Sequence, residues 1–233
     1  MVNDDRSNPE FQGFSIVALG SFNPAIFQPF WLAANGIIRN QEAQDADLEV
    51  TDSEFSSFGI DWFLLQVIKF KFIAATLDPG KTMELRDLVA NIFSILEHTP
   101  ITGFGFNANL HFNMDRPEEV GQIFERFSPS SAWSGILELP TPNSLVYKGF
   151  LTHERYPSVT IKLEPSGRVT NGLFVSVNQH YELEETNNLY EKMRAFYAAL
   201  KFDWEVFQSR VRTVYLDILS VQRAEAKEID NGN

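Results

Sequence analysis

Thr102-Gly103-Phe104-Gly105-Phe106-Asn107-Ala108-Asn109-Leu110-His111-Phe112-Asn113-Met114 is the stretch on which the fold turns. Apolar side chains recur at every second position: Phe104, Phe106, Ala108, Leu110, Phe112 and Met114. Successive side chains of a strand point to opposite faces, so Gly103, Gly105, Asn107, Asn109, His111 and Asn113 share the other side. That second face is polar but carries no formal charge. A strand of this kind belongs to an antiparallel sheet packed on one side and open on the other.

Working outward, the preceding segment Thr82–Glu97 predicts a helix, with Leu85, Val89, Ile92 and Leu96 spaced i, i+4, i+7, i+11, and Pro100 ends it. Further upstream, Phe14–Phe22 suits a strand, Asn23-Pro24 a turn, and Pro29 the first position of a short helix that Asn35-Gly36 stops. Arg39–Asp47 reads as a polar loop, and strands follow at Leu48–Thr51, Phe58–Ile68 and Phe70–Leu77. Downstream come a helix over Pro117–Phe127, a Pro- and Ser-rich loop Ser128–Asn143 carrying Trp133, and strands at Leu145–Thr152, Ser158–Leu163 and Leu173–Tyr181. A helical stretch Asn187–Val221 closes the chain. Asp203 divides it by capping a separate helix over about 203–221, whose seam is Trp204, Phe207, Val211, Val214 and Ile218. The polar ends, 1–13 and 223–233, read as frayed tails around one domain spanning 14–222.

Both halves therefore spell strand, helix, three strands, helix. At an offset of 90, Phe14, Ile16, Ala18 and Phe22-Asn23 fall on Phe104, Phe106, Ala108 and Phe112-Asn113. At an offset of 104, Thr82, Leu85, Val89, Ile92 and Leu96 fall on Thr186, Leu189, Met193, Phe196 and Leu200. The expected fold is α+β: a mostly antiparallel curved sheet backed by helices, with a β-α-β-β-β-α unit duplicated over about 14–98 and 101–200. Generic helical spacing also aligns any two amphipathic helices, so the repeat needs a structural test.

Composition narrows function by exclusion. The 233 residues are 44% hydrophobic with 21 phenylalanines, ample for a core. They carry 19 basic and 31 acidic side chains, net −12, which argues against a phosphate-tracking nucleic-acid binder and against charge-held binding to anionic lipid. The absence of cysteine excludes disulfides, thiolate metal sites and cysteine nucleophiles. No N-terminal signal segment is evident, and the most apolar run, Trp62–Leu77, is broken by Gln66, Lys69 and Lys71. A cytoplasmic protein without cofactor, metal or membrane contact is expected.

The candidate binding surface is the polar face: Asn107, Asn109, His111 and Asn113, joined by Ser176, Asn178 and His180 and extended by Ser158 and Thr160. Amides and imidazoles on a sheet face recognise a polar ligand or a partner's backbone; the plainer alternative is a solvated face. His98 and His153-Glu154 complete the histidines, but no HxH, HxxxH or HxxE spacing supports a metal site. Neither is there a Gly-x-Ser-x-Gly elbow. Ala75–Thr82 imitates a P-loop in ending Gly80-Lys81-Thr82, yet alanine replaces the first glycine and Pro79 removes one N–H from the cradle. A turn at Asp78-Pro79-Gly80 with Thr82 capping the next helix explains those residues. Glu118-Glu119 and Glu184-Glu185 read as acids favoured at helix starts. Val17 and Leu19 leave the outward side of the first strand apolar and in need of a cover, either the last helix or another protein. Trp133 and Trp204 are the candidate partner contacts.

The strings Phe14–Phe27, Trp31–Gly36 and Leu96–Asn107 resemble a sporadically distributed family of uncharacterised bacterial proteins of about this length. That resemblance would cover about Phe14–Leu219 and carries no activity and no site residues; its patchy distribution implies mobile or defence-associated loci. The overall plan is similar to the duplicated saddle of the TATA-binding protein, whose DNA-binding use needs a basic concave face that this acidic chain lacks. Two function classes follow. One is a non-enzymatic interaction or accessory subunit, such as a toxin-neutralising or defence component. The other is a small-molecule binder or enzyme using the Asn/His face. A deep pocket gathering His111, His180 and the asparagines would favour the second, and an open sheet with an apolar patch the first.

Overall fold

The computed structural model describes residues 8–151, 157–184 and 188–230, the side chains of Thr51 and of residues 221–230 excepted. Among the described residues nine strands form one curved antiparallel sheet. At its centre β1 (Phe11–Gly20) pairs with β6 (Ile101–Asn113), placing Ser15 opposite Asn107 and Ala18 opposite Phe104. β2 (Asp47–Thr51), β3 (Phe55–Ile60), β4 (Phe63–Ile68) and β5 (Lys71–Thr76) build one wing. β7 (Leu145–Phe150), β8 (Ser158–Pro165) and β9 (Gly172–Glu182) build the other.

The helices line one side. α3 (Thr82–Ile95) lies on β1 and β5, α5 (Leu189–Asp230) on β6 and β9, and α4 (Glu118–Phe127) against α5. The short α1 (Pro29–Ala34) and α2 (Asn40–Gln44) pack on each other. This side receives the even positions of β6, as the alternation predicts: Phe104, Phe106, Ala108, Leu110 and Phe112 are all buried. They meet Leu85, Val89, Ile92 and Phe93 of α3 and Phe196, Trp204, Phe207 and Val211 of α5 in one core. Phe93 meets Phe196 edge-on at 5.2 Å, Phe104 stacks on Tyr181 at 4.5 Å, and Phe106 stands edge-on to Trp204 at 5.1 Å. Each such ring contributes roughly 1.5–3 kcal/mol by leaving water, which makes this aromatic layer the main stabilising feature. At the end of β1, Gly20 lets the chain turn past the strand before β6: a Cβ there would come within 2.2 Å of the Pro100 carbonyl oxygen.

Outward from the β1/β6 pair, the sheet runs β5, β4, β3 on one side and β9, β8, β7 on the other, with β2 added at one edge. That is the order two β-α-β-β-β-α units would give. The registers match too. Phe14 faces Thr76 and Ile16 faces Ala74, while Phe104 faces Tyr181 and Phe106 faces Gln179. Duplication remains a proposal, tested by superposing 14–98 on 101–200 and asking whether α3 lands on the first turns of α5.

Several expectations are corrected. The expected strand Phe58–Ile68 is two strands, because Asp61-Trp62 makes a two-residue turn joining Ile60 to Phe63. Arg39–Asp47 is not all loop: the Glu42 carboxylate accepts the Arg39 backbone N–H at 2.7 Å and closes the first turn of α2. β1 begins at Phe11 rather than Phe14, since residues 11–13 pair with 109–111 of β6, which shortens the expected tail. Most of all, α5 is one uninterrupted helix of 42 residues, reaching Asp230 within the expected C-terminal tail. Asp203 caps nothing in it. The rest of the expected tails, residues 1–7 and 231–233, lies outside the described residues, as do His153-Glu154, Glu185 and Thr186. Among the described residues no helix is long and apolar enough to cross a membrane.

Candidate functional site

The face of the sheet opposite the helices carries the odd positions of β6, so Asn107, Asn109, His111 and Asn113 share it with Ser176, Asn178 and His180 of β9. Asn107 sits directly opposite Asn178, Asn109 opposite Ser176, and His111 opposite Phe174. β8 continues the surface, with Ser158 facing His180, Thr160 facing Asn178 and Lys162 facing Ser176. On the other wing the same face presents Ser15, Val17 and Leu19 of β1, Lys71, Ile73 and Ala75 of β5, and Leu64 and Gln66 of β4. α5 does not cover Val17 and Leu19, because it lies on the opposite side of the sheet. Those residues remain half-buried and uncovered by any helix.

The central amides partner one another. The Asn178 side-chain N–H donates to the Asn107 carbonyl oxygen at 2.6 Å, and the Asn107 N–H donates to the Ser15 hydroxyl at 3.2 Å. This ladder crosses three strands, so Asn107 and Asn178 are held in place rather than free. Asn109 is exposed and forms no such bond. His111 is fixed differently: its Nδ1 lies 2.8 Å from the Ser166 hydroxyl and its ring rests on Phe174 at 4.8 Å. Burial, and then the positive charge of Arg168, hold its pKa below the ordinary histidine value. Asn113 is exposed at the strand end, opposite Gly172.

Among the described residues, two of the shallow clefts on this face are lined by the candidate residues. One, of about 380 Å³, runs over Ser15, Val17, Leu19, Ile73, Asn107 and Asn178. The other, of about 550 Å³, lies toward the strand ends among Phe11, Gln12, Asn109, His111, Arg168 and Phe174. They share Asn109 but divide the histidines: His180 lines the first and His111 the second. Six residue steps along the strand from Phe174 to His180 set the two imidazoles about 20 Å apart along the sheet, too far to share one ion. Among the described residues no cluster of three metal-ligating side chains exists.

The remaining sequence candidates resolve individually. Trp204 is no partner contact: it is 0% exposed, packed on Phe106 and Phe207, and its indole N–H donates to the Thr82 carbonyl at 2.9 Å. Trp133 is exposed, after a 3-10 turn at Ser130–Ala132. The P-loop look-alike is a 3-10 turn, Pro79–Lys81, capped by the Asp78 carboxylate on the Gly80 N–H at 2.8 Å. Thr82 does not cap α3; its hydroxyl donates to the Gln208 carbonyl oxygen at 2.9 Å and ties α3 to α5. Glu118 and Glu119 do sit in the first turn of α4, where Glu119 accepts the Asp115 N–H. Glu184 precedes no helix start, because α5 begins at Leu189.

Sequence reasoning missed a polar network on the covered side. The Gln179 amide donates to the Tyr181 hydroxyl oxygen, Tyr181 donates to the Asp203 carboxylate at 2.8 Å, and Arg210 donates to the Gln179 carbonyl oxygen. Burial first, and the Asp203 carboxylate second, push the Tyr181 hydroxyl strongly upward, so it stays protonated and donating. The signal was visible as Gln179 falling in phase with Val175, Val177 and Tyr181 on the apolar side of β9. The network locks α5 to the sheet and explains why Asp203 sits mid-helix. No family model matches the sequence, and a search of curated proteins finds no relative.

Proposed function

We propose that the chain is a non-enzymatic interaction subunit, working in the cytoplasm, that holds a protein partner on the helix-free face of its sheet. The observation that carries this reading is an open face with the apolar Val17, Leu19 and Ile73 set beside the exposed amide of Asn109. A partner gains from burying the first group and from hydrogen bonding the second. The acidic balance of the chain supports a protein rather than a nucleic acid as that partner. The resemblance carried by the strings Phe14–Phe27, Trp31–Gly36 and Leu96–Asn107 extends the reading to a bacterial defence or toxin-neutralising complex.

The experiment compares immobilised wild type, Val17→Asp, Asn109→Ala and His111→Gln for proteins retained from the native host. The partner should disappear with Val17→Asp, weaken with Asn109→Ala and persist with His111→Gln, all three variants staying folded by circular dichroism. Identical retention by wild type and Val17→Asp would end the reading. A second reading rests on the 550 Å³ cleft, where Asn109, His111 and Arg168, with Glu10 and Glu164 beside them, suit a small polar molecule. Retention of such a molecule by wild type and its loss in His111→Gln would favour that alternative.

A further inference from the structure

The two edges of the sheet are built differently. β2, at one edge, carries Asp47 and Glu49 in five residues, and its pairing with β3 is broken by an irregularity between Leu48 and Val50. Charge and bulge are the ordinary means of blunting an edge against further pairing. β7, at the other edge, has neither a proline nor a bulge, and its only charge is the single Lys148; its six residues Leu145-Val146-Tyr147-Lys148-Gly149-Phe150 pair with β8 in unbroken register. Among the described residues no strand pairs with its outer side. Among the described residues, seven of the nineteen exposed large apolar side chains fall between Trp133 and Phe150, and three of them, Val146, Tyr147 and Phe150, are on β7 itself.

The face pattern of β7 specifies what fits. Val146, Lys148 and Phe150 lie on the helix-free side, opposite Lys162, Thr160 and Ser158. Lys162 is neutralised by Glu164 at 2.8 Å, whereas Lys148 has no ion pair among the described residues. A second copy of the chain is a poor occupant. The antiparallel register that lays Val146 on Phe150 of the copy also lays Lys148 on Lys148, and directly opposed like charges are destabilising. The net charge of −12 opposes self-association further.

We propose that the free edge of β7 takes up an extended segment of a different protein, with an acidic residue opposite Lys148 and apolar residues two positions to either side. Backbone hydrogen bonds supply the affinity of such strand addition, and the alternating side chains supply its selectivity. The proposal concerns the edge alone and stands or falls separately from the reading of the open face.

The probes are two fluorescein-labelled peptides of about ten residues, identical in alternating Val/Thr/Phe pattern except for a central Glu or a central Lys. Fluorescence anisotropy against the full chain should show the Glu peptide binding about tenfold or more tightly than the Lys peptide. Lys148→Glu should invert that order, and Lys69→Glu, the same charge change at the exposed turn between β4 and β5, should leave it unchanged. Equal binding of both peptides, an order unaltered in Lys148→Glu, or no binding of either at about 1 mM overturns the proposal. So does a concentration-dependent dimer in sedimentation velocity that competes with the peptide, since the occupant would then be a second copy.

Discussion

The two wings of the sheet share a core and differ on the open face. With Phe14 laid on Phe104, the cross-strand pair Val17–Ile73 of the first wing occupies the place of the pair Asn107–Asn178 in the second. On the covered side the same alignment sets Thr76 on Tyr181, and each hydroxyl is satisfied locally, Thr76 by the Trp62 carbonyl at 2.6 Å and Tyr181 by Asp203. The covered side is thus kept apolar with a few satisfied polar groups in both wings. At that matched position the open side bears an aliphatic pair in one wing and an amide pair in the other. Packing constrains the first surface tightly, and the second is left to vary with what it contacts.

The largest effect should come from the shared core. Phe106→Ala removes a ring that is 0% exposed and touches Trp204, Phe207 and Tyr181. A loss of about 3–5 kcal/mol in urea unfolding is expected, and Ile16→Ala at the matching place in β1 should cost about 2–5 kcal/mol. A loss under about 1 kcal/mol at Ile16 would show that the two wings do not carry equivalent cores.

The alternation that sorts these faces was legible in the sequence, because a period of two needs no knowledge of neighbours. Phe104, Phe106, Leu110 and Phe112 are buried and Asn107, Asn109 and His111 lie opposite, as the spacing predicts. What the sequence could not show depended on long-range register. Asp203 has the chemistry of a helix cap, yet its carboxylate serves Tyr181, 22 residues away, and the helix runs through it. Trp204 has the chemistry of a surface anchor, yet it fills the space between Phe106 and Thr82. Nor could the spacing tell that Asn107 and Asn178 bond each other while Asn109 stays open, or that β7 ends the sheet. Those facts follow from strand order, which local pattern does not encode.

A smaller effect separates the wings beneath the helices. Tyr181→Phe leaves the Asp203 carboxylate and the Gln179 amide each short of a partner. The expected cost is about 1–3 kcal/mol, read by chemical unfolding. Thr76→Val, which removes the matching hydroxyl, should cost less, since the groups it strands, the Trp62 carbonyl and the Asp78 backbone N–H, are both neutral. If Thr76→Val proved the more damaging, the network under α5 would not be what locks that helix.

The open face permits an exchange between wings. Asn107→Val alone strands the Asn178 amide and should cost about 1 kcal/mol, as should Asn178→Ile alone. The double variant, which writes the Val17–Ile73 pair into the second wing, should be nearly neutral, because neither amide is left stranded and the half-buried Ser15 hydroxyl, which loses its donor, can turn to water. Additive losses in the double variant would mean that each amide serves a partner other than its neighbour.

The smallest effect is a dependence on pH at His111. Its folded pKa lies below the ordinary value of 6.5, chiefly through burial and secondarily through Arg168. Above pH 6.5 both folded and unfolded chains hold the ring neutral, and His111 contributes no slope. As pH falls below 6.5, the unfolded chain takes up a proton that the folded chain resists, so stability declines until the lower folded pKa is passed. His111→Gln removes that uptake while keeping a hydrogen-bonding group near the Ser166 hydroxyl. The melting temperature of the variant should therefore rise relative to wild type between about pH 7 and 5, with the acidic residues common to both proteins cancelling in the difference. A constant difference across that range would show that the ring is free to protonate on the face. His111 would then be a solvated edge of the amide surface rather than a packed member of it.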